Sequence, residues 1–424
     1  MPMNQSPDKL RILLSAYACA PHRGSEPGVG WNWTNGLADR VELQVITRES
    51  NRRTIEAFIE ASPEDSPIRG VRFHYHDLSA WAIFLKKRRI LPTSIYYLLW
   101  QVQVARRFAD MAERVDIVHH LTFCSLLCPG YWRLRRSKSV IGPVGAPLVP
   151  ASLLTLFGMQ APVQALRGLL MRNFHRIPSI QRVLRQARAI IPANADTRAL
   201  LEARSFHAEA VLLDTGTPDI GHHPRGRIHH DDSVMFLYAG QLERRKGLEL
   251  SLRALAMAES HNWRFKIVGE GPDRQRLQRL CGKLNIDGKV EFTGRISQQD
   301  VFKEMAQADV FLFSSLRDTS AGVNLEAMAN GLPVICLCHQ GVADITDNDC
   351  AERVAPGSLS ATITGLAKAV DRMIADSQRR EQMGRNAANR AKTEFDWQHK
   401  FDAIIAIYER TARTALYTAT HDNV

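Results

Sequence analysis

The sequence predicts an α/β protein built from two doubly wound domains that face each other across a cleft. Three observations lead to this fold class: the length of 424 residues, the alternation of strand-like and helix-like segments in both halves, and a polar break between the halves. A single core rarely serves more than about 300 residues, so two domains are expected. Residues 214–233 combine turn formers and charges with few apolar side chains, and they predict the linker.

The predicted units follow from this break. We expect a first Rossmann-like domain over residues 1–213 and a second over 234–396. A final helix over 397–424 is expected to pack back on the first domain.

The first half opens with a strand, a loop rich in glycine and proline, a helix and a second strand, which is the repeating unit of a parallel sheet. The loop covers residues 21–30 and the helix 31–38. An amphipathic pattern over 90–113 predicts one long helix. The predicted strands of this half are 10–17, 41–47, 71–75, 117–120 and 189–193.

The second half repeats the alternation with short connections, which indicates another parallel sheet. Its predicted strands are 234–239, 265–269, 290–292, 310–313 and 333–335. Its predicted helices are 248–259, 272–284, 297–308 and 323–329, followed by helical stretches at 361–393 and 397–415. Ligands of such sheets bind at the carboxyl ends of the strands, in the cleft between the domains.

Composition favours a water-soluble protein, with 45% hydrophobic and 23% charged residues. No uncharged apolar run is long and unbroken enough for a membrane-spanning helix, and charges interrupt residues 1–14, so no signal peptide is predicted. The seven cysteines are scattered, odd in number and without a CxxC pair, which indicates reduced thiols. A cytoplasmic location is therefore expected.

The net charge of +11 is unevenly placed, because residues 81–190 hold 17 basic and 3 acidic side chains. This excess suits an anionic partner such as phospholipid head groups, a pyrophosphate-linked acceptor or nucleic acid, although solvated helix faces would also account for it. No recognisable nucleic-acid-binding fold is present, so no nucleic-acid partner is predicted. The basic run at 86–89 has apolar neighbours on both sides, which favours peripheral contact with an anionic membrane.

The strongest chemical signal is the segment 318–329, which follows a predicted strand and enters a predicted helix. Asp318 and Glu326 flank the small residues Ser320, Ala321 and Gly322. Small residues let a ligand approach the backbone, and free amides at a helix start suit a diphosphate. Glu326, one turn into the helix, could accept hydrogen bonds from ribose hydroxyls. The spacing of the two acids is common by itself, and its place in a strand–loop–helix gives it weight.

A second signal is the loop 240–247, directly after another predicted strand. Glycines stand at both ends, and Arg244, Arg245 and Lys246 are consecutive cations. A fixed cation can stabilise a departing nucleoside diphosphate. An exposed cationic turn is the alternative interpretation.

These two segments resemble the donor half of glycosyltransferase family 4, a retaining family with the GT-B fold. Residues 326–335, 268–272 and 292–295 resemble further stretches of that family. The resemblance implies a bacterial polysaccharide-type enzyme that moves a sugar from a nucleotide diphosphate sugar to a glycan or polyprenyl-diphosphate-linked acceptor. It implies a donor-binding second domain and an acceptor-binding first domain. It implies neither a cofactor nor a metal.

The resemblance also implies roles for individual residues. Lys246 and Asp318 become catalytic candidates. Donor-binding candidates are Gly240, Gln241, Arg245, Lys246, Gly294, Arg295, Gly322, Val323, Asn324, Leu325 and Glu326. Three positions depart from the family pattern: Asp318 and Asp344 replace a usual glutamate, and Gln241 replaces a common phosphate-binding arginine, for which Arg244 or Arg245 could substitute.

The first half supplies acceptor-side candidates through the same resemblance. Residues 24–31 resemble the family's glycine-rich loop, which makes Glu26, Gly28 and Gly30 acceptor-binding candidates. His119 is a further acceptor candidate, and His120 is the nearest candidate for the catalytic histidine, although the usual spacing falls on the next residue. A strand-end histidine of structural role is the alternative. The loop 142–147 is also expected to border the cleft.

Other functions stay open at this point. A nucleotide-sugar epimerase, or a non-catalytic scaffold that binds nucleotide sugars, could share the fold. A nicotinamide dehydrogenase is disfavoured because residues 28–33 lack the third glycine of the dinucleotide fingerprint. The DxD-like sequence at 347–349 lies among turn formers and predicts a turn rather than a metal site.

Overall fold

The computed structural model describes residues 9–88, 90–123, 125–132, 134, 138–218 and 233–421. The chain forms two six-stranded sheets whose named strands all pair in parallel. The first sheet contains β1 (Arg11–Ser15), β2 (Glu42–Thr47), β3 (Arg72–Tyr75), β4 (Ile117–His120), β5 (Ser139–Val144) and β6 (Ala189–Pro192). Its spatial order is β3-β2-β1-β4-β5-β6.

The second sheet contains β7 (Val234–Ala239), β8 (Trp263–Val268), β9 (Val290–Gly294), β10 (Val310–Phe313), β11 (Val334–Leu337) and β12 (Ala351–Val354). Its spatial order is β12-β11-β10-β7-β8-β9. Every residue of β7, β10 and β11 is buried, as expected for central strands with helices on both faces. The predicted α/β class with two doubly wound domains is confirmed.

Helices flank both sheets. The first half holds α1 (Ser25–Leu37), α2 (Arg52–Ala61), α3 (Ala80–Lys87), α4 (Thr93–Arg107), α5 (Ala109–Arg114), α6 (Ala161–Arg172), α7 (Pro178–Gln186) and α8 (Ala195–Glu202). The second holds α9 (Leu248–Met257), α10 (Arg274–Lys283), α11 (Gln298–Gln307), α12 (Gly322–Ala329), α13 (Gln340–Ile345), α14 (Leu359–Ala375), α15 (Ser377–Glu394) and α16 (Trp397–His421). None of these helices, as far as they are described, is both long and apolar enough to cross a bilayer.

The predicted loop at 21–30 is wrong in part, because α1 begins at Ser25. Pro27 lies in the first helical turn, where no N–H donor is needed. A Cβ atom on Gly28 would lie 2.0 Å from the carbonyl oxygen of Arg23, and one on Gly30 would lie 2.0 Å from that of Ala18. The glycines therefore let the helix pack against the preceding loop, a contact that local sequence signals do not reveal.

Other boundaries also differ from the prediction. The helix predicted over 90–113 is two helices, α4 and α5, which meet at Phe108. The sequence pattern missed β5, whose Gly142–Pro143 pair resembles a turn. The strand nevertheless lies between β4 and β6, and a register shift between Ile141 and Val144 accommodates the proline. The short elements α13 and β12 were missed as well, and the helical stretch at 361–393 is divided between α14 and α15.

The last helix returns to the first domain. Helix α16 contacts α1 and β4, and the Phe401 ring fills the space beside Gly36, where a Cβ would lie 1.9 Å from it. The predicted linker starts in a fixed conformation: the indole of Trp33 donates to the carbonyl oxygen of Asp214 at 2.7 Å, and the amide of Thr217 donates to that of Phe395 at 2.8 Å. Residues 219–232 of that linker lie outside the described residues.

Candidate active site

An ion pair joins the two chemical segments at the carboxyl ends of β7 and β10. The Lys246 ammonium contacts the Asp318 carboxylate, and their side chains are 13% and 21% exposed. Gly247 makes the approach possible: its φ is +65°, and a Cβ there would lie 2.0 Å from the carbonyl oxygen of Ser314. The structure thus brings together the two catalytic candidates of the second domain.

Helix α12 begins beside this pair. Ala321 precedes it in a left-handed conformation with φ of 52°, and Gly322 packs on Thr215, whose Cγ2 would lie 2.9 Å from a Cβ there. The first-turn amides of Gly322 and Val323 are therefore positioned for an anion. The backbone N–H of Asn324, which was predicted to contact the donor, instead donates to the carbonyl oxygen of Ala321 at 2.8 Å.

Asn324 and Leu325 are also fully buried in α12. They support the helix from the core side, and no ligand can reach their side chains in this conformation. The Asn324 amide, which was predicted to contact the donor, is therefore engaged within the turn, and the donor contact of Leu325 stays a prediction.

Glu326 lies one turn further along α12. Burial raises the pKa of its carboxyl to about 7. No hydrogen bond to this carboxylate occurs among the described residues, so its oxygens are available to a ligand. A carboxyl in this environment changes its charge near neutral pH and gains most from partners that donate hydrogen bonds.

The loop after β7 divides its cations between two directions. Arg245 donates to the Glu243 carboxylate at 2.6 Å and to the Gln241 side-chain oxygen at 3.2 Å. Arg244 points towards the first domain, where it donates to the carbonyl oxygen of Leu156 at 2.9 Å. Arg245 is thus the cation that contacts the Gln241 side chain. Gly240 directly follows β7 and has a φ of +152°.

Gly294 and Arg295 lie at the end of β9, the edge strand of the second sheet. Gly294 is buried with a φ of +79°, and a Cβ there would lie 3.0 Å from the carboxylate of Glu270. Arg295 is exposed. Strand β8 separates these residues from the loop that carries Lys246, so the predicted base site and the predicted phosphate site are separate places along one sheet edge.

Three carboxylates meet in the cleft opposite Lys246. Glu26, in the first turn of α1, accepts a hydrogen bond from the amide of Phe123 at 3.0 Å. Burial, then the charge of Asp214, raises the pKa of Glu26 to about 7, and Asp318 adds to the shift. Burial also raises the pKa of Asp214, while the Ser320 hydroxyl opposes that shift.

Sequence reasoning missed Asp214 of this group and its neighbour Lys400. Asp214 was assigned to the linker, and Lys400 lies on the last helix, far from both chemical segments. Burial lowers the pKa of Lys400 to about 8, and the charges of Asp214 and Asp396 oppose the shift. No local sequence signal distinguishes either residue, because folding over long sequence separations creates their environment.

The two domains hold the Asp318 loop between them. The side-chain amide of Asn194 donates to the carbonyl oxygen of Thr319 at 2.8 Å, and the amide of Gln340 donates to Asp196 at 2.9 Å. Gly145 lies against Thr319, since a Cβ there would be 2.5 Å from the threonine methyl group. The predicted loop at 142–147 therefore reaches the cleft at Gly145.

Asp344 contacts the first domain. Its carboxylate accepts a hydrogen bond from the amide of Ala195, the first residue of α8, at 2.7 Å. This replacement of the family's usual glutamate thus serves a contact between the domains.

His119 does not face the cleft. It is fully buried, its Nδ1 lies 2.6 Å from the hydroxyl of Tyr408, and its Nε2 lies 2.6 Å from the carbonyl oxygen of Gly142. Burial lowers its pKa to about 4. Both ring nitrogens serve the packing of α16 and β5, so the predicted acceptor contact is wrong for this structure.

His120 is 1% exposed and lies behind Tyr97. The Tyr97 hydroxyl donates to the carbonyl oxygen of Thr122 at 2.6 Å, so its contact with His120 Nε2 at 3.0 Å requires the histidine to donate. Burial, and then His119, lowers the pKa of His120 to about 3. The ring is neutral at physiological pH and does not reach the cleft, so the geometry does not support its predicted catalytic role.

Gly28 and Gly30 serve the packing of α1. Both are buried, and the close contacts described above show that their missing side chains make room for the carbonyl groups of Arg23 and Ala18. The acceptor contact through these glycines stays a prediction, and the carboxylate of Glu26 in the same segment is close enough to Asp214 and Asp318 for their charges to act on it.

The DxD-like sequence forms a turn, as predicted. The Asp347 carboxylate accepts hydrogen bonds from the amides of Asp349 at 3.0 Å and Cys350 at 3.1 Å. Within the described part of the chain, no group of three or more His, Cys, Asp or Glu side chains is arranged to hold a metal ion.

Two six-stranded parallel sheets that face each other across a cleft, with a last helix that returns to the first domain, define the GT-B glycosyltransferase fold. Solved structures of glycosyltransferases superpose on this chain over most of its length. Sucrose-phosphate synthase from Thermosynechococcus elongatus superposes with a TM-score of 0.67 at 19% identity and covers 96% of this chain and 99% of its own. WaaG, a glycosyltransferase involved in lipopolysaccharide biosynthesis, superposes with a TM-score of 0.58 at 18% identity, covering 92% and 98%.

Residues 223–390 match the family described as "Glycosyl transferases group 1". An uncharacterized glycosyltransferase, MJ1607 of Methanocaldococcus jannaschii, is 30% identical over 181 residues, which cover 42% of this chain and 45% of the relative. Alpha-D-kanosaminyltransferase of Streptomyces kanamyceticus is 26% identical over 218 residues, covering 50% and 56%. The chain spans about half the length of the curated relatives it matches.

Proposed function

We propose that the protein is a retaining glycosyltransferase that moves a sugar from a nucleotide diphosphate sugar to a glycan or a polyprenyl-diphosphate-linked acceptor. The observation that carries the proposal is the Lys246–Asp318 pair beside the open first turn of α12. A cation and free helix amides at one point suit the diphosphate of a donor. The match of residues 223–390 to the group 1 glycosyltransferase family supports the same function.

In the proposed reaction, Lys246 and the amides of Gly322 and Val323 hold the donor diphosphate. The bond between the anomeric carbon and the phosphate oxygen breaks, and the acceptor oxygen bonds to that carbon on the same face. The acceptor proton passes to the departing phosphate oxygen. The protein's own cations stabilise the developing negative charge, so the proposal is independent of a metal. Asp318 lies beside the transferred sugar.

Glu326 would hold the ribose hydroxyls, and Gly294 and Arg295 would lie near the base. One structural neighbour, HepE of Anabaena, is described in complex with UDP-glucose, and the present chain superposes on it with a TM-score of 0.57 at 15% identity. Curated relatives include glycosyltransferases of lipopolysaccharide core and colanic acid biosynthesis. These relatives support a donor of the nucleotide-sugar class and a role in cell-surface polysaccharide biosynthesis.

The test is a panel of UDP- and GDP-linked sugars, measured by thermal shift and by slow hydrolysis of the donor. The wild-type protein should be stabilised by one donor, and Glu326→Ala should lose that stabilisation. Glu381→Ala, an exposed carboxylate on α15, is the matched control and should behave like the wild type. If no donor stabilises the wild-type protein, the proposed function is wrong.

The same panel separates the two alternatives kept from the sequence. An epimerase would convert a donor to its sugar isomer with no acceptor present. A binding scaffold would be stabilised by a donor but would neither hydrolyse nor transfer it. Either outcome would contradict the transferase proposal.

We also propose that the first domain rests on the anionic inner face of the cytoplasmic membrane. Apolar side chains are exposed on α3, α4 and α6 and next to them: Trp81, Phe84, Ile90, Ile95, Leu99, Met159, Val163, Leu166, Leu169 and Leu170. They lie within the segment that holds 17 basic and 3 acidic residues. Apolar side chains beside basic ones match an anionic bilayer surface.

One loop connects these helices. Gln101 of α4 accepts a hydrogen bond from the amide of Gly130 at 3.0 Å. Burial raises the pKa of Cys128 in the same loop, and the nearby charge of Arg167 on α6 opposes that shift. Two lysines of this segment have partners within the protein: the Lys86 ammonium donates to the Tyr17 hydroxyl at 2.9 Å, and the buried Lys138 ammonium donates to the carbonyl oxygen of Val115 at 3.0 Å. Among the described residues, the proposed surface therefore consists of exposed apolar side chains and of the cations that stay exposed.

Co-sedimentation with phosphatidylglycerol-containing vesicles at low salt tests this surface. The wild-type protein should sediment with anionic vesicles and not with neutral ones, and Trp81→Glu with Leu166→Glu should abolish sedimentation. Met257→Glu, which introduces the same charge at an exposed methionine of the second domain, should have no effect. Equal sedimentation of all three proteins would contradict the proposal.

A further inference from the structure

A second group of cations lies beside the Lys246–Asp318 pair. The backbone places two dipeptides opposite each other, Arg245–Lys246 and Arg317–Asp318, since the amide of Leu316 donates to the carbonyl oxygen of Arg245 at 2.8 Å. One member of each dipeptide belongs to the ion pair. The other two members, Arg245 and Arg317, have like charges and cannot neutralise each other.

The first domain adds a third arginine. Arg317 donates to the side-chain oxygen of Gln164 on α6 at 2.6 Å. Arg167 follows Gln164 by three residues, so both lie on the same side of α6. The arginines of two domains therefore converge where α6 meets the loop after β10.

The positive charge of this group is incompletely balanced. Glu243 pairs with Arg245 at 2.6 Å, and Arg167 Nε is buried without a hydrogen-bond partner among the described residues. Burial lowers the pKa of Arg167, and the charge of Arg245 lowers it further. Burial lowers the pKa of Arg317 to about 10, and Arg167 and Arg245 add to that shift. Partly buried guanidinium groups that repel one another are stabilised by an anion.

We propose that Arg167, Arg245 and Arg317 bind a phosphate group of the acceptor at the junction of the two domains. The inference rests on the proposed glycosyl transfer and narrows its acceptor to an anionic, phosphate-bearing molecule. Guanidinium groups match phosphate because their planar N–H donors can bond two oxygens at once.

The position of α6 favours the acceptor over the donor as the source of this phosphate. Lys246 and the start of α12 already serve the donor diphosphate, so the proposal assigns Arg245, which the sequence predicts to bind the donor, to the acceptor. Helix α6 belongs to the first domain, and its outer face exposes Val163, Leu166 and Leu170. A phosphate attached to an apolar chain could therefore lie on the arginines while its chain follows α6.

The binding test uses inorganic pyrophosphate as the probe and titration calorimetry as the readout. It is carried out in the Lys246→Ala background, which weakens the donor site. Adding Arg167→Gln or Arg317→Gln should each reduce the remaining affinity by about tenfold, the loss expected for one charged hydrogen-bonding partner. Arg172→Gln, an exposed arginine on the same helix, is the matched control and should leave the affinity unchanged. In the same background, the affinity of Arg317→Lys should lie between that of the Lys246→Ala protein and that of Arg317→Gln, because lysine keeps the charge and loses the planar pair of N–H donors.

Unchanged affinity in both Arg167→Gln and Arg317→Gln would overturn the inference. An equal loss in Arg172→Gln would also overturn it, because the binding would then reflect general charge. In a transfer assay, Arg167→Gln should raise KM for the acceptor and leave donor hydrolysis unchanged, whereas a raised KM for the donor alone would assign the arginines to the donor site and overturn the inference.

The inference and the proposed function can fail separately. If no nucleotide sugar binds while pyrophosphate binding depends on Arg167 and Arg317, the anion site stands and the transferase proposal fails. If donors bind and transfer occurs while the arginine variants behave like wild type, the anion site fails alone.

Discussion

The two domains have the same topology and use it differently. Read from β3 to β6 and from β9 to β12, both sheets follow the same order of strands. The second domain places Lys246 and Asp318 in loops that follow strands, and Glu326 one turn into the helix after the second of these loops. The first domain places His119 and His120 inside β4, where both are buried.

This difference shows which positions of the shared fold are open to a ligand. A side chain within a central parallel strand faces helices on both sides and belongs to the core. A side chain after the strand faces the cleft. The first domain instead contributes to the cleft through Glu26, Gly145 and Asn194, which lie on a helix start or in loops. Substitutions in the second domain should therefore change the rate of transfer, and substitutions in β4 of the first domain should change stability.

The largest expected effect is on transfer in Lys246→Ala. Loss of a cation that stabilises the departing diphosphate should lower kcat by about 100- to 1000-fold, the effect of removing one preorganised oxyanion donor. The measurement is single-turnover transfer with the donor found in the panel. Lys283→Ala, an exposed lysine at the end of α10, is the control and should keep full activity. Unchanged turnover in Lys246→Ala would contradict the assignment of the catalytic groups to the second domain.

A smaller effect is expected for the pH dependence of donor binding. Ribose hydroxyls donate to an ionised carboxylate better than to a protonated one. Because the pKa of Glu326 is raised to about 7, donor affinity should rise between pH 6 and 8 and level off above the pKa. Glu326→Gln should remove this dependence and weaken binding at pH 8 by about tenfold. Glu381→Gln provides the comparison, and a pH profile that survives in Glu326→Gln would show that another group controls binding.

The sequence predicted the second domain well because its signals are local. The strand β10, the small residues 320–322 and the start of α12 lie within one continuous segment, so strand, loop and helix could be recognised together. Asn324 marks the limit of this reasoning. Its place in the segment predicted a ligand contact. In the structure Ala321 has a left-handed conformation, and the Asn324 amide donates to the Ala321 carbonyl oxygen within the turn.

The first domain was harder to predict because its decisive contacts are distant in sequence. His119 is held by Tyr408, 289 residues away. Asp214 gains its environment from Ser320 and Lys400, and the glycines of α1 are explained by the loop before the helix. Periodicity and motif spacing carry no information on such contacts, so the strand was predicted correctly and its histidines were assigned to the wrong surface.

Tyr408→Phe measures the packing role of His119. The change removes the partner of His119 Nδ1 and should lower the free energy of unfolding by about 1–3 kcal/mol, the usual range for an unsatisfied buried polar group. Thermal unfolding reads out the loss, and donor affinity should not change. Tyr131→Phe, which loses a 3.4 Å contact with the carbonyl oxygen of Leu127, should destabilise the protein less. A large rise in KM without a loss of stability would return His119 to the functional site.

The smallest expected effect concerns Glu26, the acid of the first domain that does reach the cleft. Its pKa is raised from 4.5 to about 7 in the folded protein, so between these values the folded state binds more protons than the unfolded state. Stability from this group therefore falls as pH rises through that window. Glu26→Gln should remove this fall and should raise Tm at pH 8 by about 2 °C relative to its effect at pH 5.

The comparison for Glu26→Gln is Glu60→Gln, which changes an exposed carboxylate of α2 and should shift Tm equally at both pH values. Buried acids outside this group keep their own pH dependence in both variants, so the difference between the two variants reports Glu26 together with its interactions with Asp214 and Asp318. If Glu26→Gln also shifts Tm equally at pH 5 and pH 8, the three carboxylates of the cleft are not coupled. The first domain would then contribute shape, and no charge, to the site that Lys246 and Asp318 form.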